Sequence, residues 1–182
     1  MTTLFIQPHD PLWRPQNARH LVDCLRQLGL LGEPLDAPES GAYRVGSEFL
    51  KLVVFLGCSP YVVLDPGESN EGQTACCIRL AEYPAVVFLA SHPLPRARCP
   101  CCRSPSQLTS TEVYDAPSRC VSCGEETALH ELDWRQGAGY GSFFVAIDGI
   151  HPQEAIPSER LLRELEKFSG CAWRFFFSNR RA

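Results

Sequence analysis

The sequence predicts an α+β fold, a mainly antiparallel sheet with two or three helices, interrupted by one small inserted module. Three observations lead there. Short runs rich in β-branched and aromatic residues, divided by Pro, Gly, Asn and Ser, occur both before and after residues 95–127. Segments with helical spacing lie towards the two ends of the chain. Between them, residues 98–124 hold five of the ten cysteines and little that could form a core. With 182 residues, 45% of them hydrophobic, the chain can bury roughly 70% of the surface its unfolded form exposes, enough for one main domain. The expected division is a main domain of residues 1–94 plus 128–182, with residues 95–127 inserted.

After a Pro-rich start, Ala18, Leu21, Val22, Leu25 and Leu28 recur at helical spacing, with Asn17 as cap and Gly29 and Gly32 as stops. The turn-rich connector PLDAPES follows. Over residues 47–57, Ser47 can cap a buried helix ending at Gly57, yet Val53, Val54 and Phe55 suit a strand. Periodicity does not separate the two in so short a run, and the helix is the reading adopted. YVVL at 61–64, TACCIRLA at 74–81 and AVVFLAS at 85–91 read as three strands. Beyond the cysteines, LHELDWR at 129–135 alternates as a weak strand, QGAGYG at 136–141 is a turn, and SFFVAIDG at 142–149 is a stronger strand. Ser158 caps the clearest helix, in which Leu161, Leu162, Leu165 and Phe168 share one face. Glu159 with Arg163 and Glu164 with Lys167 support its exposed side, and Gly170 ends it. CAWRFFF at 171–177 is the last strand.

The 21 acidic against 17 basic side chains give a net charge of −4, which repels a polyanion unless the basic groups cluster on one face. The segment MTTLFIQPHDPLWRP has neither the basic nor the continuous apolar region of a secretion signal. The longest apolar runs, at 52–56 and 143–147, fall far short of the roughly 20 residues that span a bilayer. A cytoplasmic protein with no membrane association is the expectation, and in a reducing compartment its cysteines are thiols or metal ligands.

Cys99-x2-Cys102 is followed by seventeen residues and then Cys120-x2-Cys123, the spacing of a four-cysteine zinc site. Two residues between thiolates let a tight turn aim both sulfurs at one point, and two such turns complete a tetrahedron. Gly124 suits a position where the backbone needs a positive φ. By these cysteines alone, residues 95–127 resemble the zinc-ribbon and rubredoxin-like group, a resemblance covering that module only. It departs from a rubredoxin knuckle at Arg103, where glycine would be usual, and this argues against an iron redox centre. Cys101 cannot close the same turn and is a spare thiol. The alternative, a pair of disulfides, is opposed by a reducing compartment. Four thiolates leave the metal no vacant position, so Zn²⁺ here is structural and not catalytic.

Arg96, Arg98, Arg103 and Arg119 flank the knuckles, a pattern that also marks nucleic-acid binding. The metal thiolate cluster, with its formal charge of −2, needs cations nearby in any case. Glu112, Asp115, Glu125 and Glu126 cancel most of the local excess. Elsewhere, Cys58 sits at a turn with no histidine assignable as its base, and reads as a structural thiol. Cys24, Cys76, Cys77 and Cys171 read the same way, with Cys76 and Cys77 on opposite sides of a strand. The glycines of 137–142 lead into a strand and so lack the helix N-terminus of a phosphate loop. Asp148, His151 and Glu154 form an ordinary polar loop that could in principle hold a metal or move protons. The expected function is therefore a non-enzymatic zinc-binding protein acting as an interaction or adaptor factor for another protein. The alternatives are a nucleic-acid-associated ribbon, disfavoured by the net charge, and an enzyme using Cys58 or the Asp148, His151 and Glu154 loop.

Overall fold

Six strands, each antiparallel to its neighbours, build the main sheet of the computed structural model, which describes residues 2–35, 41–56, 62–64, 75–108, 111–150 and 154–179. In chain order the elements are β1 (Thr2–Pro8), α1 (Ala18–Gln27), β2 (Leu31–Pro34), β3 (Ala42–Val45), α2 (Phe49–Leu52), β4 (Val53–Phe55), β5 (Cys77–Ala90), β6 (Pro117–Arg119), β7 (Glu126–Ala128), β8 (Ala138–Ile150), β9 (Ala155–Pro157), α3 (Glu159–Ser169) and β10 (Trp173–Ser178). The strand order is β10-β1-β8-β5-β3-β2, with β4 paired to β9 and β6 to β7. The α+β class is as expected, and the helices sit where local chemistry puts them. Asn17 Oδ1 accepts the N–H groups of Arg19 at 3.0 Å and His20 at 3.2 Å, capping α1. Ser158 Oγ accepts the Leu161 N–H at 3.2 Å, and Gly170, at φ 73°, closes α3 in the left-handed conformation. The two expected surface pairs of α3 form, Glu164 to Lys167 at 2.6 Å and Glu159 to Arg163 at 3.9 Å.

One core lies between the helices and one face of the sheet, where Leu4, Ile6, Val145 and Ile147 meet Leu21, Leu25, Leu161 and Leu165. The opposite face holds a second core of Phe5, Phe144, Ala146 and Phe176. It is enclosed because the sheet curls on itself. The Phe177 N–H donates to the Gln136 carbonyl at 2.8 Å, and Ser178 Oγ–H to the Ala90 carbonyl at 2.8 Å, so β10 meets the start of β8 and the end of β5. Gly139 sits at this closure. A Cβ there would lie 2.6 Å from both Gln7 Oε1 and Phe176 Cε1, so a side chain at this position would have to displace those of Gln7 and Phe176.

The structure corrects several local readings. The Pro-rich start contains β1, a strand in mid-sheet whose seven residues are all buried. The runs at 74–81 and 85–91 contribute residues 77–81 and 85–90 to one strand, β5, whose register with β8 slips between Glu82 and Val87, while Thr74 lies outside the described residues. Pro84, which has no N–H to give a ladder, falls within that bulge. In YVVL, Val62–Leu64 form no strand, and Tyr61 lies outside the described residues. Residues 47–57 are neither reading alone: a four-residue helix from Phe49, with Glu48 and not Ser47 at its cap position, runs straight into β4. Gly57 lies outside the described residues. LHELDWR is not a strand but a 3₁₀ turn over Leu129–Glu131 that buries Leu129, Leu132 and Trp134 together. The Trp134 indole N–H closes it by donating to the Leu129 carbonyl at 3.0 Å. The turn expected at 136–141 lies at Trp134 to Gly137 instead, and β8 is already under way at Ala138.

Candidate metal centre

The hairpin β6-β7 is short because its loop is the second cysteine knuckle: Arg119 pairs with Glu126, and Cys120 to Glu125 make the turn between them. Within it the Cys120 N–H donates to the Glu125 carbonyl at 2.7 Å, and the Gly124 N–H to the Cys120 carbonyl at 2.9 Å. The first knuckle repeats the pattern, with Cys99 N–H to the Ser104 carbonyl and Arg103 N–H to the Cys99 carbonyl, each at 2.9 Å. Arg103 is thus the counterpart of Gly124. Both occupy the left-handed region, at φ 62° and 77°. The departure at Arg103 seen in the sequence is a departure of residue type only, with the glycine conformation retained. We expect Arg103→Gly to stabilise the module by about 1 kcal/mol and Gly124→Ala to destabilise it by a similar amount, through backbone strain. Nothing lies within 4 Å of a Cβ added at Gly124, so any penalty there is conformational. Thermal melts of the metal-loaded variants test the pair: the midpoint should rise for Arg103→Gly and fall for Gly124→Ala, and shifts of the same sign, or of reversed sign, would contradict it.

The two turns bring the sulfurs of Cys99, Cys102, Cys120 and Cys123 within 4.8 Å of one another, a set that could hold a metal ion. Cys99 Sγ is 3.7 Å from Cys123 Sγ, and Cys102 Sγ is 3.5 Å from Cys120 Sγ. A tetrahedral ion with metal–sulfur bonds of about 2.3 Å separates its sulfurs by about 3.8 Å, so these spacings suit four-fold coordination. All four cysteines are free thiols, as are the other described cysteines, so no disulfide competes for them. Cys99 is buried while Cys102 and Cys123 are exposed, so the centre lies at the surface. The thiols do not ionise independently. Hydrogen bonds from Ser104, through its side chain and then its backbone, together with one from Cys120, hold the Cys102 thiol down at about 6. For Cys123 the Glu125 N–H favours the thiolate, but its thiol neighbours Cys102, Cys120 and Cys99 outweigh this and push it up to about 12. A metal must displace these protons, so affinity rises with pH and falls on acidification. Ser104 was not marked by the sequence reading, since its role follows from the turn and not from the cysteine spacing.

Beneath the knuckles, Ala97, Leu129, Leu132 and Trp134 pack with Ala138 and Tyr140 of β8. The Tyr140 hydroxyl donates to the Thr111 carbonyl at 2.9 Å, and the His130 N–H to the Tyr114 carbonyl at 2.9 Å. Leu108 and Tyr114 join this cluster and are half-buried, whereas Val113 is 56% and Val121 82% exposed. The flanking Arg96, Arg103 and Arg119 are exposed and Arg98 is half-buried, its backbone bridging to Asp133.

The remaining candidates divide. Asp148 is half-buried and fully engaged: Arg79 donates Nε to Oδ2 at 2.5 Å and Nη2 to Oδ1 at 3.3 Å, and Thr3 Oγ1 donates to Oδ1 at 2.5 Å. Glu154 is half-buried with no hydrogen-bond partner for Oε2. His151 and Cys58 lie outside the described residues. Cys76 is buried and Cys77 half-buried, consistent with opposite sides of the chain. Burial, and then the charges of Cys77 and Asp148, push the Cys76 thiol up to about 12. Burial, followed by Asp148, also raises Cys77. Cys24 and Cys171 are half-buried, and Cys101 is exposed. With metal bound, thiol labelling should find its fastest site at Cys101, and Cys101→Ser should remove that phase. A comparably fast phase surviving in that variant would contradict this and direct attention to Cys58.

An α+β fold bearing a surface cluster of four cysteines that could hold a metal ion, set over an apolar cluster, is what fold and site define. Compared with protein-family models, curated proteins and solved structures, the chain finds no match. Among the described residues no helix is long and apolar enough to cross a membrane.

Proposed function

We propose that the chain is a non-enzymatic cytoplasmic protein in which a structural Zn²⁺ shapes a ribbon that docks another protein. The observation that carries the reading is the convergence of four sulfurs at the surface. Such a set saturates the ion and leaves no position for substrate or water, so its effect is on shape. The exposed valines Val113 and Val121 lie in the same module, Val121 between two of the ligands, and offer apolar contacts at the point the metal would hold rigid. The unbridged thiols of the described cysteines suit a reducing compartment. The nucleic-acid reading is weaker because the four flanking arginines are matched in number by four acidic residues of the module, Glu112, Asp115, Glu125 and Glu126. The test uses metal-loaded chain as bait in nuclease-treated extract, beside Val113→Asp with Val121→Asp. A partner retained by the first and lost by the second, with zinc content unchanged, supports the proposal. A nucleic-acid complex that survives physiological salt, and weakens when Arg98 and Arg103 become Ala, would overturn it.

A further inference from the structure

Between the arms of the β6-β7 hairpin the Leu129 N–H donates to the Ala116 carbonyl at 3.1 Å and the Cys120 N–H to the Glu125 carbonyl at 2.7 Å. An antiparallel pair alternates residues that exchange main-chain bonds with residues that do not, so Ala116, Ser118 and Cys120 turn their main-chain groups to the partner arm. Pro117 and Arg119 turn theirs the other way. That side is the edge of a two-stranded sheet, and among the described residues nothing bonds to the Pro117 carbonyl or to the Arg119 N–H and carbonyl there. Pro117 has no N–H, so the edge presents one donor and two acceptors.

A cavity of about 210 Å³ touches Ala116, Pro117, Ser118 and Arg119 in succession. Side chains alternate between the two faces of a strand, so a cavity that meets four successive residues runs along the strand's edge. Leu108, Val113 and Leu129 give it apolar walls, and Gln107 a polar one. Leu129 is buried and Leu108 half-buried in the cluster of Trp134 and Tyr140, which fixes two of those walls, while Val113 is exposed. The volume suits one aliphatic side chain and falls below the roughly 300–1,000 Å³ of small-molecule sites. Arg119 is the charged side chain of the lining, but Glu126 stands opposite it in the ladder, so the edge selects neither sign of charge.

Resting on the reading of the module as a protein-docking surface, we propose that β6 takes a third strand: an extended, uncharged segment of the partner protein, its main chain paired with Pro117 and Arg119 and one aliphatic side chain seated among Leu108, Val113 and Leu129. The occupant is an extended chain because what the edge leaves unpaired is main chain, and another strand supplies donors and acceptors at the matching spacing. Cys120 follows Arg119 directly, so an ion held by the four cysteines would fix one end of this edge.

The test titrates the full, metal-loaded chain with the blocked pentapeptide Ser-Val-Leu-Val-Ser and follows the amide resonances. Saturable shifts at residues 107–108 and 116–119, with slowed exchange of the Arg119 N–H, are expected. Alanine in place of the peptide's leucine should weaken binding roughly 10-fold, the loss of one aliphatic contact. Arg119→Pro removes the edge donor without removing a bond to β7, and should abolish binding with zinc content unchanged, whereas Arg119→Ala keeps the N–H and should still bind. If Arg119→Pro loses its zinc, the two peptides on the parent chain decide. No shift at millimolar peptide, equal binding of both peptides, or undiminished binding by zinc-loaded Arg119→Pro would overturn the proposal. A dimer of the free chain that Arg119→Pro dissociates would overturn it too, by placing a second copy on the edge. A partner retained by the bait but not displaced by the pentapeptide would overturn this site and leave the docking reading standing. Peptide binding with no partner retained would support the edge and count against that reading.

Discussion

One zinc ion per chain is expected on elemental analysis of purified protein, and Cys99→Ser or Cys120→Ser should abolish it. The loss should be large, because binding at four-thiolate sites contributes on the order of 10 kcal/mol near neutral pH. It should also be local. The knuckles are held by their own backbone turns and by the sulfurs, while the apolar groups beneath them, Leu129, Leu132 and Trp134, pack onto β8. Hydrogen exchange should therefore accelerate across residues 98–126 and leave β1, β8 and β10 protected. Finding iron, or no metal, would reject the zinc assignment. Collapse of the whole chain on chelation would show that the Leu129 and Trp134 cluster cannot stand without the ion.

Phe5→Ala is expected to cost about 3–5 kcal/mol in urea denaturation, the range for emptying a fully buried aromatic site. Phe5 has 0% exposure and lies between Phe176, stacked at 5.2 Å between centroids, and Phe144, edge-on at 5.7 Å. No small shift can refill that space, since both neighbours belong to strands already committed to the sheet. Leu12, 61% exposed just beyond β1, serves as the control, and its change to Ala should move stability by no more than about 0.5 kcal/mol. A Phe5→Ala cost below about 1 kcal/mol would mean that the curled sheet does not enclose a core on this face.

These two expectations differ in how far the sequence could have led to them. The four-cysteine cluster was legible because the two-residue spacing within each knuckle is a local geometric demand, independent of the rest of the fold. Both long helices were legible for a similar reason: Asn17 and Ser158 cap them, and Leu21, Leu25, Leu161 and Leu165 keep a helical period on one face. β1 was not legible. With Leu4 and Ile6 buried under the helices and Phe5 buried opposite, it shows no alternation to set it apart from the prolines around it. The break in β5 at Pro84 hid a single strand behind two runs. The pairing of β1 with β10 was beyond reach for a further reason: its residues meet only through the register of strands drawn from opposite ends of the sequence, and no local pattern carries that information.

That same pairing governs when the molecule can fold. β1 is made long before its partners, yet it is flanked by β8 and β10, with Leu4 set against Ile147 on one side and Phe177 on the other. The chain must be made through Ile150 before the β1–β8 ladder can close and through Ser178 for the β1–β10 ladder, and contacts of such wide sequence separation make for slow assembly. During that interval Leu4, Phe5 and Ile6 have no native neighbours and stand open to wrong ones. On a ribosome the cysteine module would emerge and could take up its metal while β1 was still waiting, so the small centre is the earlier of the two to become whole.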